Sequence, residues 1–393
     1  MLNLPFFRKQ TTPSLTSQDN VVALDIGTEQ LKCLLFSVDD YGVEVKKVSR
    51  IDQQQHAMKS GVIRNLDTVL ENCRLAISEI SQRLSDDEMP KHVVMGLAGE
   101  YIQGVSIVVN YQRDENYQTE VSEKEQKKII SDIEEKIETS GKEDLSQRIG
   151  LSNEDIEILH ITKTGLEIGG MPVDSLIGYK GRDVKLNYYA SFAPKTYVEA
   201  LRKLASDLKL NVIGIVAQPF AVARAYSGSS SRDFSAMFVD IGGGTTDIAV
   251  VDQGSVVETK MFAFGGRTFT KEIVRSGNIE YRIAEQRKLK YSKRELTREL
   301  SRDVQKTVYP VAKLWMKTLK SAISYCDDID SFPAQIYLCG GGSLLPEIKE
   351  VMLEFPWKKF LPFPVVPKIE YFTPEKLENI KDNSGELKHV FDI

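Results

Sequence analysis

The stretch Phe238–Val251, FVDIGGGTTDIAVV, decides the reading of this chain. Apolar residues on either side give two strands, and three glycines, two threonines and an aspartate gather at one tip. The same device stands earlier, at Val21–Phe36, VVALDIGTEQLKCLLF. Asp25-Ile26-Gly27 and Asp240-Ile241-Gly242 each follow one apolar strand and precede another, and each pair opens a strand-rich unit with later helices. Internal duplication of this kind predicts two similar α/β lobes, and two such tips suggest two walls of one site.

The tip chemistry suits a polyphosphate. A phosphate tail needs many donors, and backbone N–H groups at a tight turn supply them where side chains stay out of the way. Gly27 with Thr28, and Gly242, Gly243 and Gly244 with Thr245 and Thr246, therefore predict two phosphate-binding loops. An aspartate at a strand end cannot face phosphate alone, because like charges repel. A hydrated Mg²⁺ between them resolves this, and Asp25 and Asp240, one per lobe, are the expected holders of that ion through water. No GxxxxGK[ST] occurs, so the loop is not a P-loop. The glycines lead into a strand rather than a helix, which counts against a Rossmann fingerprint. A third piece, IYLCGGGSLLPEIKEVM, places Gly340, Gly341, Gly342 and Ser343 in a turn between strand and helix, where a flat purine could lie against backbone.

Outward from these motifs, apolar spacing predicts a helix over 68–84 and an amphipathic helix carrying Val198, Leu201, Leu204 and Leu208 on one face. Ser122 and Glu125 form a capping-box pattern that opens a helix over 122–137. Residues 278–326 read as a long basic-acidic helical region, 227–233 as a hinge-like linker and 10–19 as a polar linker. The segment near 100–190 is richer in charge than its surroundings and reads as a subdomain inserted into the first lobe.

Bulk properties bound the function. The 393 residues allow two or three domains. A net charge of −5 argues against broad nucleic-acid binding, which requires a basic face. Cys33, Cys73, Cys326 and Cys339 share no metal-ligand spacing and read as reduced cytosolic thiols. No run approaches the length of a spanning helix. The start, MLNLPFFRKQ, reads as a disordered tail or as a weak interfacial anchor, with Leu2, Leu4, Phe6 and Phe7 for lipid and Arg8 and Lys9 for anionic headgroups.

At these residues the chain resembles the actin-like ATPase superfamily. LDIGT is similar to its first phosphate motif, VDIGGGTTDIAV to its second and LCGGGSLLP to its adenosine motif. AQPFAVARAYSG resembles the helix connecting the lobes, with Gln218 where relatives place a water-orienting Glu or Gln. AEQRKLKY resembles a helix that reaches the ribose, which makes Glu285 and Lys288 candidates, and Gly266 is a further candidate ATP contact. Within the superfamily the segments SGVIRNLDTVLENC, VMGLAGEYIQG, VSEKEQKKI and 158–192 resemble the cell-division family FtsA.

The resemblance implies an α/β fold of duplicated ribonuclease-H-like lobes, with an inserted α+β subdomain in the first lobe and a reduced outer subdomain in the second. The boundaries that follow are a tail at 1–19; a first lobe at 20–99 and 191–230; an insert at 100–190; a second lobe at 231–372, its outer part 275–310 reduced; and a tail at 373–393. It further implies ATP and Mg²⁺ as cofactors and at most a slow ATPase. The implied partners are the FtsZ C-terminal peptide, other copies of the chain in a homopolymer, and later division proteins through the insert. The implied place is cytoplasmic, at the inner face of the membrane at the division site. The peptide site would fall on the basic region 282–306. Two departures stand out. Glu29 sits where relatives carry a small or hydroxyl residue, and GELKHVFDI lacks the family's basic amphipathic membrane helix. The alternative reading is a pilus assembly protein similar to PilM that binds a partner peptide. A kinase or chaperone reading finds no separate catalytic constellation and no substrate-binding domain.

Overall fold

Strand alternation builds the first lobe. In this computed structural model, which describes residues 15–16, 19–40, 42–99, 101–227, 234–326, 329–377 and 380–387, β1 (Val21–Ile26) and β2 (Gln30–Asp39) pair antiparallel from Val21↔Phe36 to Ile26↔Leu31. β2 alternates buried and part-exposed residues, as a strand with one core face must. β3 (Gly42–Asp52) completes the meander. A small hairpin, β4 (Met58–Lys59) with β5 (Val62–Ile63), leads into α1 (Leu66–Ser81). Its N-cap is Asn65, whose side chain accepts from the Thr68 N–H at 3.1 Å, and it buries Val69, Cys73, Ala76 and Ile80 as the spacing predicts. β6 (His92–Leu97) then enters parallel to β1.

The insert comprises β7 (Gln103–Gln112), α2 (Glu123–Ile149), β8 (Ile156–Ile168), β9 (Met171–Pro172) and β10 (Asp183–Pro194). Ser122 caps α2 by accepting from the Glu125 N–H at 3.2 Å, but the Glu125 carboxylate turns to Arg113. The helix runs on to Ile149, past the expected 137, and stops where Gly150 takes a left-handed conformation, φ 71°. The chain returns through α3 (Lys195–Asp207), β11 (Asn211–Ala217) and α4 (Gln218–Ser227).

The second lobe repeats the plan: β12 (Ala236–Ile241), β13 (Thr246–Asp252), β14 (Ser255–Phe262), α5 (Gly266–Gly277), α6 (Tyr281–Ser292), α7 (Arg298–Ile323), β15 (Gln335–Cys339), α8 (Pro346–Glu354), α9 (Trp357–Phe360) and β16 (Lys368–Tyr371). The strand orders β11-β6-β1-β2-β3 and β16-β15-β12-β13-β14 are the same, with an antiparallel meander followed by two parallel neighbours in each. The duplication read from the two hairpins is thus carried by whole sheets. α7 packs Trp315, Leu319 and Ile323 into the second core, each burial contributing roughly 1.5–3 kcal/mol.

Two features differ from expectation. The insert interrupts the first lobe in sequence, yet its strands extend the second lobe's sheet, because β14 pairs with β7 through Glu258↔Val105 and Thr259↔Gly104. A side chain at Gly104 would overlap the hydroxyls of Tyr189 and Thr259, so only glycine lets these strands meet. The expected C-terminal tail, in turn, contributes β17 (Ile380–Asp382), a parallel partner for β3 on the outer edge of the first sheet. Arg50 fixes it by an ion pair with Glu386 at 3.2 Å. The proposed N-terminal anchor residues lie outside the described residues. Among the described residues, no helix is long and apolar enough to cross a membrane.

Candidate functional site

The β1–β2 and β12–β13 turns face each other at the junction of the lobes. Across the first hairpin Asp25 is paired with Lys32, with Nζ to carboxylate at 3.2 Å. The amide of Gln218, the first residue of α4, also donates to Asp25. The second hairpin pairs Asp240 with Asp247. Burial pushes Asp240 up to about 6, with Lys32 opposing and Asp25 adding to the rise. Burial, and after it the Asp240 carboxylate, hold Asp247 well above the usual carboxylate range as well. Its Oδ2 accepts from Thr245 at 3.3 Å, while its Oδ1 is buried with no hydrogen-bond partner among the described residues.

Three carboxylates therefore converge, one of them with an orphaned oxygen, against the single nearby ammonium of Lys32 that appears in these couplings. That surplus of negative charge fits a divalent cation. Asp247 was not singled out in the sequence, although it closes the GGGTTD motif. The adenosine-type turn abuts the same place. Gly340 adopts φ +76°, and a Cβ there would overlap the Asp240 carboxylate. Gly341 faces open space, Gly342 packs on Ile241, and the Ser343 hydroxyl closes the turn on the Gly340 carbonyl at 2.7 Å.

The glycines of the second tip divide. A Cβ at Gly242 would make only ordinary contacts, whereas one at Gly243 would overlap Glu29 and one at Gly244 would crowd Thr28 and Ser60. The tips are thus in contact with each other. Gly27 is required by its own turn, where a Cβ would meet the Gln30 carbonyl at 2.6 Å. Thr28 is buried, its hydroxyl accepting from the Gly61 N–H at 3.0 Å. Thr246 does not serve the tip. Its hydroxyl donates to the Phe264 carbonyl at 2.6 Å and accepts from Trp315 Nε1 at 2.9 Å inside the second core. The expectation that both threonines face a phosphate is corrected for Thr246, the first residue of β13, because its hydroxyl is already committed inside the second core.

Gly266 joins the tip through its N–H, which donates to the Gly242 carbonyl at 2.9 Å. Behind it, Lys288 is buried and donates to the Gly266 carbonyl at 3.1 Å, to Thr270 at 2.9 Å and to Glu285 at 2.9 Å. Glu285 also accepts from Thr270. The two α6 candidates are therefore brought together with the tip, bonded to each other.

Arg267 and Tyr281 were also missed. Arg267 donates through Nη1 to the Met58 carbonyl and through Nη2 to the Thr28 carbonyl, both at 2.8 Å, and through Nε to Glu29. Tyr281 donates to the same Glu29 carboxylate at 3.3 Å. Glu29, the departure noted in the sequence, is thus held by the second lobe. The four cysteines are buried and none is in a disulfide. No group of three or more histidine, cysteine or acidic residues forms a preassembled metal centre among the described residues.

Duplicated five-stranded sheets joined at facing glycine hairpins define the actin-like ATPase fold. Among solved structures, a chain of the PilM–PilN type IV pilus biogenesis complex matches with a TM-score of 0.66 at 15% identity, over 94% of this chain and 93% of that one. The ethanolamine utilization protein EutJ from Carboxydothermus hydrogenoformans matches with a TM-score of 0.50 at 15% identity, over 93% and 92%.

In sequence, the family model for cell division protein FtsA matches residues 237–379. FtsA of Neisseria meningitidis serogroup B is 25% identical over 274 residues, covering 70% of this chain and 62% of that protein. FtsA of Bacillus subtilis is 23% identical over 259 residues, 66% of this chain and 55% of that protein, and FtsA of Enterococcus hirae is 25% identical over 400 residues, 95% and 84%. The chain has the actin-like fold, and the relatives it resembles in sequence are FtsA proteins. The aligned part spans less than two thirds of the Neisseria and Bacillus proteins.

Proposed function

We propose that the chain binds ATP with Mg²⁺ between the two hairpin tips and acts as an FtsA-like adaptor of cell division. The observation that carries this is the convergence of Asp25, Asp240 and Asp247 at two glycine turns. Asp25 and Asp240 would hold the ion through water, with Asp247 behind them. When bound, the ion supplies the positive charge that lets carboxylates and phosphates share one site. Gly242 and Gly341 leave backbone open to the ligand. The Glu285–Lys288 pair stands where the ribose hydroxyls would lie, and Gln218, tied to Asp25, orients the water of a slow hydrolysis. ATP is mainly structural in this reading.

The partner would be the C-terminal peptide of FtsZ on the outer helices of the second lobe. Arg282, Lys290, Lys293, Arg294, Arg298 and Arg302 are exposed there beside exposed Ile283 and Leu289, which suits a peptide of mixed acidic and apolar character. Other copies of the chain would add end to end, and later division proteins would meet the insert. The protein would work at the inner face of the membrane, at the division site. Titration calorimetry with Mg-ATP, followed by co-sedimentation with FtsZ tail peptide with and without nucleotide, tests this. Absence of heat with Mg-ATP removes the nucleotide reading, and absence of peptide in the pellet removes the adaptor reading.

A second reading is favoured by the near-complete overlap with the PilM–PilN chain: a pilus assembly protein that takes a partner peptide. A cavity of about 200 Å³ in the first lobe, lined by Ile26, Met58, Val62, Ala98 and Tyr197, would accept apolar side chains of such a peptide. Preferential binding of a pilus-partner peptide over the FtsZ peptide in the same assay selects it.

A further inference from the structure

We propose that Arg267 is the cleft's phosphate reader, for which the Glu29 carboxylate and a nucleotide's terminal phosphate compete. The inference rests on the nucleotide reading above and adds to it the residue that couples ligand to lobe closure. Arg267 is fixed to the second tip by its backbone, its N–H donating to the Gly243 carbonyl at 2.8 Å just after Gly266 donates to Gly242. Its side chain crosses to the first lobe and is 13% exposed. There it meets two carbonyls, of Thr28 and Met58, and one negative charge, that of Glu29.

Among the described residues, both hydrogen-bond donors to the Glu29 carboxylate come from the second lobe, Arg267 and Tyr281. Glu29 also fills the space beside Gly243, where a Cβ would overlap its Cγ. A polyphosphate lying between the tips therefore has to move the Glu29 side chain. Once moved, Glu29 leaves the guanidinium surrounded by carbonyls with no compensating anion. A buried arginine without its partner is unfavourable. Phosphate oxygens match the guanidinium fork as well as a carboxylate does. One residue then closes the cleft in two ways: through Glu29, or through the ligand.

The competition fixes the sign of each substitution. Fluorescent ATP and inorganic tripolyphosphate are titrated into the full chain and its variants, with thermal melts confirming folding. Glu29→Gln removes the rival charge while keeping shape, and is expected to tighten both ligands about tenfold. Arg267→Gln is expected to weaken both about tenfold, with Arg267→Lys between, since lysine keeps charge without the fork.

In the Arg267→Gln background, Glu29→Gln is expected to give no gain, a non-additivity that a merely structural pair would not produce. If Arg267→Gln does not fold, Glu29→Gln alone and with Arg267→Lys decides. Wild-type binding with unchanged or weaker binding by Glu29→Gln overturns the phosphate-reader inference and leaves the nucleotide reading standing. A gain from Glu29→Gln that persists in the Arg267→Gln background overturns it equally. No binding of ATP by wild type or by any variant overturns the nucleotide reading itself.

Discussion

Asp240 and Asp247 sit directly opposite each other across the second hairpin, at the place where the first hairpin sets Lys32 opposite Asp25. Like charges so placed are destabilising when both are ionised. The folded protein relieves this by holding protons: burial, with the Asp25 carboxylate adding to it, raises Asp240 from 3.8 to about 6, and burial together with the Asp240 carboxylate raises Asp247. Between those two values the folded state binds more protons than the unfolded one. The contribution of Asp240 to stability therefore falls as pH rises from about 4 to about 6, and is flat above. Asp240→Asn is expected to reduce that slope, Asp247 keeping its own share, and to be more stable than wild type at neutral pH, by up to ~3 kcal/mol. Urea unfolding across this pH range, with wild type and variant compared, measures it. Added Mg²⁺ is expected to return stability to wild type above pH 6 and to leave Asp240→Asn unchanged.

Gly243 and Gly341 make a contrasting pair. A side chain at 243 overlaps Glu29, whereas one at 341 meets nothing within 4 Å. Gly243→Val is expected to force the tips apart and abolish ATP binding, while Gly341→Ala changes stability by no more than about 0.5 kcal/mol. Equilibrium binding and thermal melts of the two variants side by side provide the check. Equal behaviour would mean that the tips do not meet as described.

The insert is tied to the second lobe by the Tyr189 hydroxyl, 2.8 Å from Thr259 Oγ1. Tyr189→Phe is expected to cost about 1 kcal/mol, the worth of one hydrogen bond. Gly104→Ala pushes a methyl into both hydroxyls and is expected to cost more, about 1–3 kcal/mol. Denaturant midpoints rank the two, and the reverse order would contradict the close approach of β7 and β14.

Removing residues 378–393 strips β17 from the first sheet and bares the edge of β3. Hydrogen exchange at Val43 to Val45 is expected to accelerate in the shortened protein, while exchange in β1 stays slow. Such an edge also invites pairing with other chains, so the truncated protein is expected to self-associate more readily in light scattering.

The hairpins were legible because apolar alternation and clustered glycine are local signals. The duplicated strand order follows from them. The pairing of β14 with β7 was not legible, since Gly104 and Thr259 meet through contacts distant in sequence, and nothing near Gly104 announces the neighbour. β17 is three residues long and has no period to detect. Thr245 and Thr246 looked equivalent as hydroxyl donors, yet Thr245 lies in the turn while Thr246 opens β13 and spends its hydroxyl on Phe264 and Trp315, partners distant in sequence. Arg267 follows a Gly-Gly pair in a run with no charge pattern, and its meaning depends on Glu29 in the other lobe.

β17 also sets an order of events during synthesis. The first lobe's sheet begins with residue 21 and gains its last strand only at residue 382. N-terminal units generally fold while the rest of a chain is still emerging from the ribosome. Here that early unit waits with one flank uncapped until translation has passed residue 382, which makes the nascent chain a natural client for chaperones at that flank.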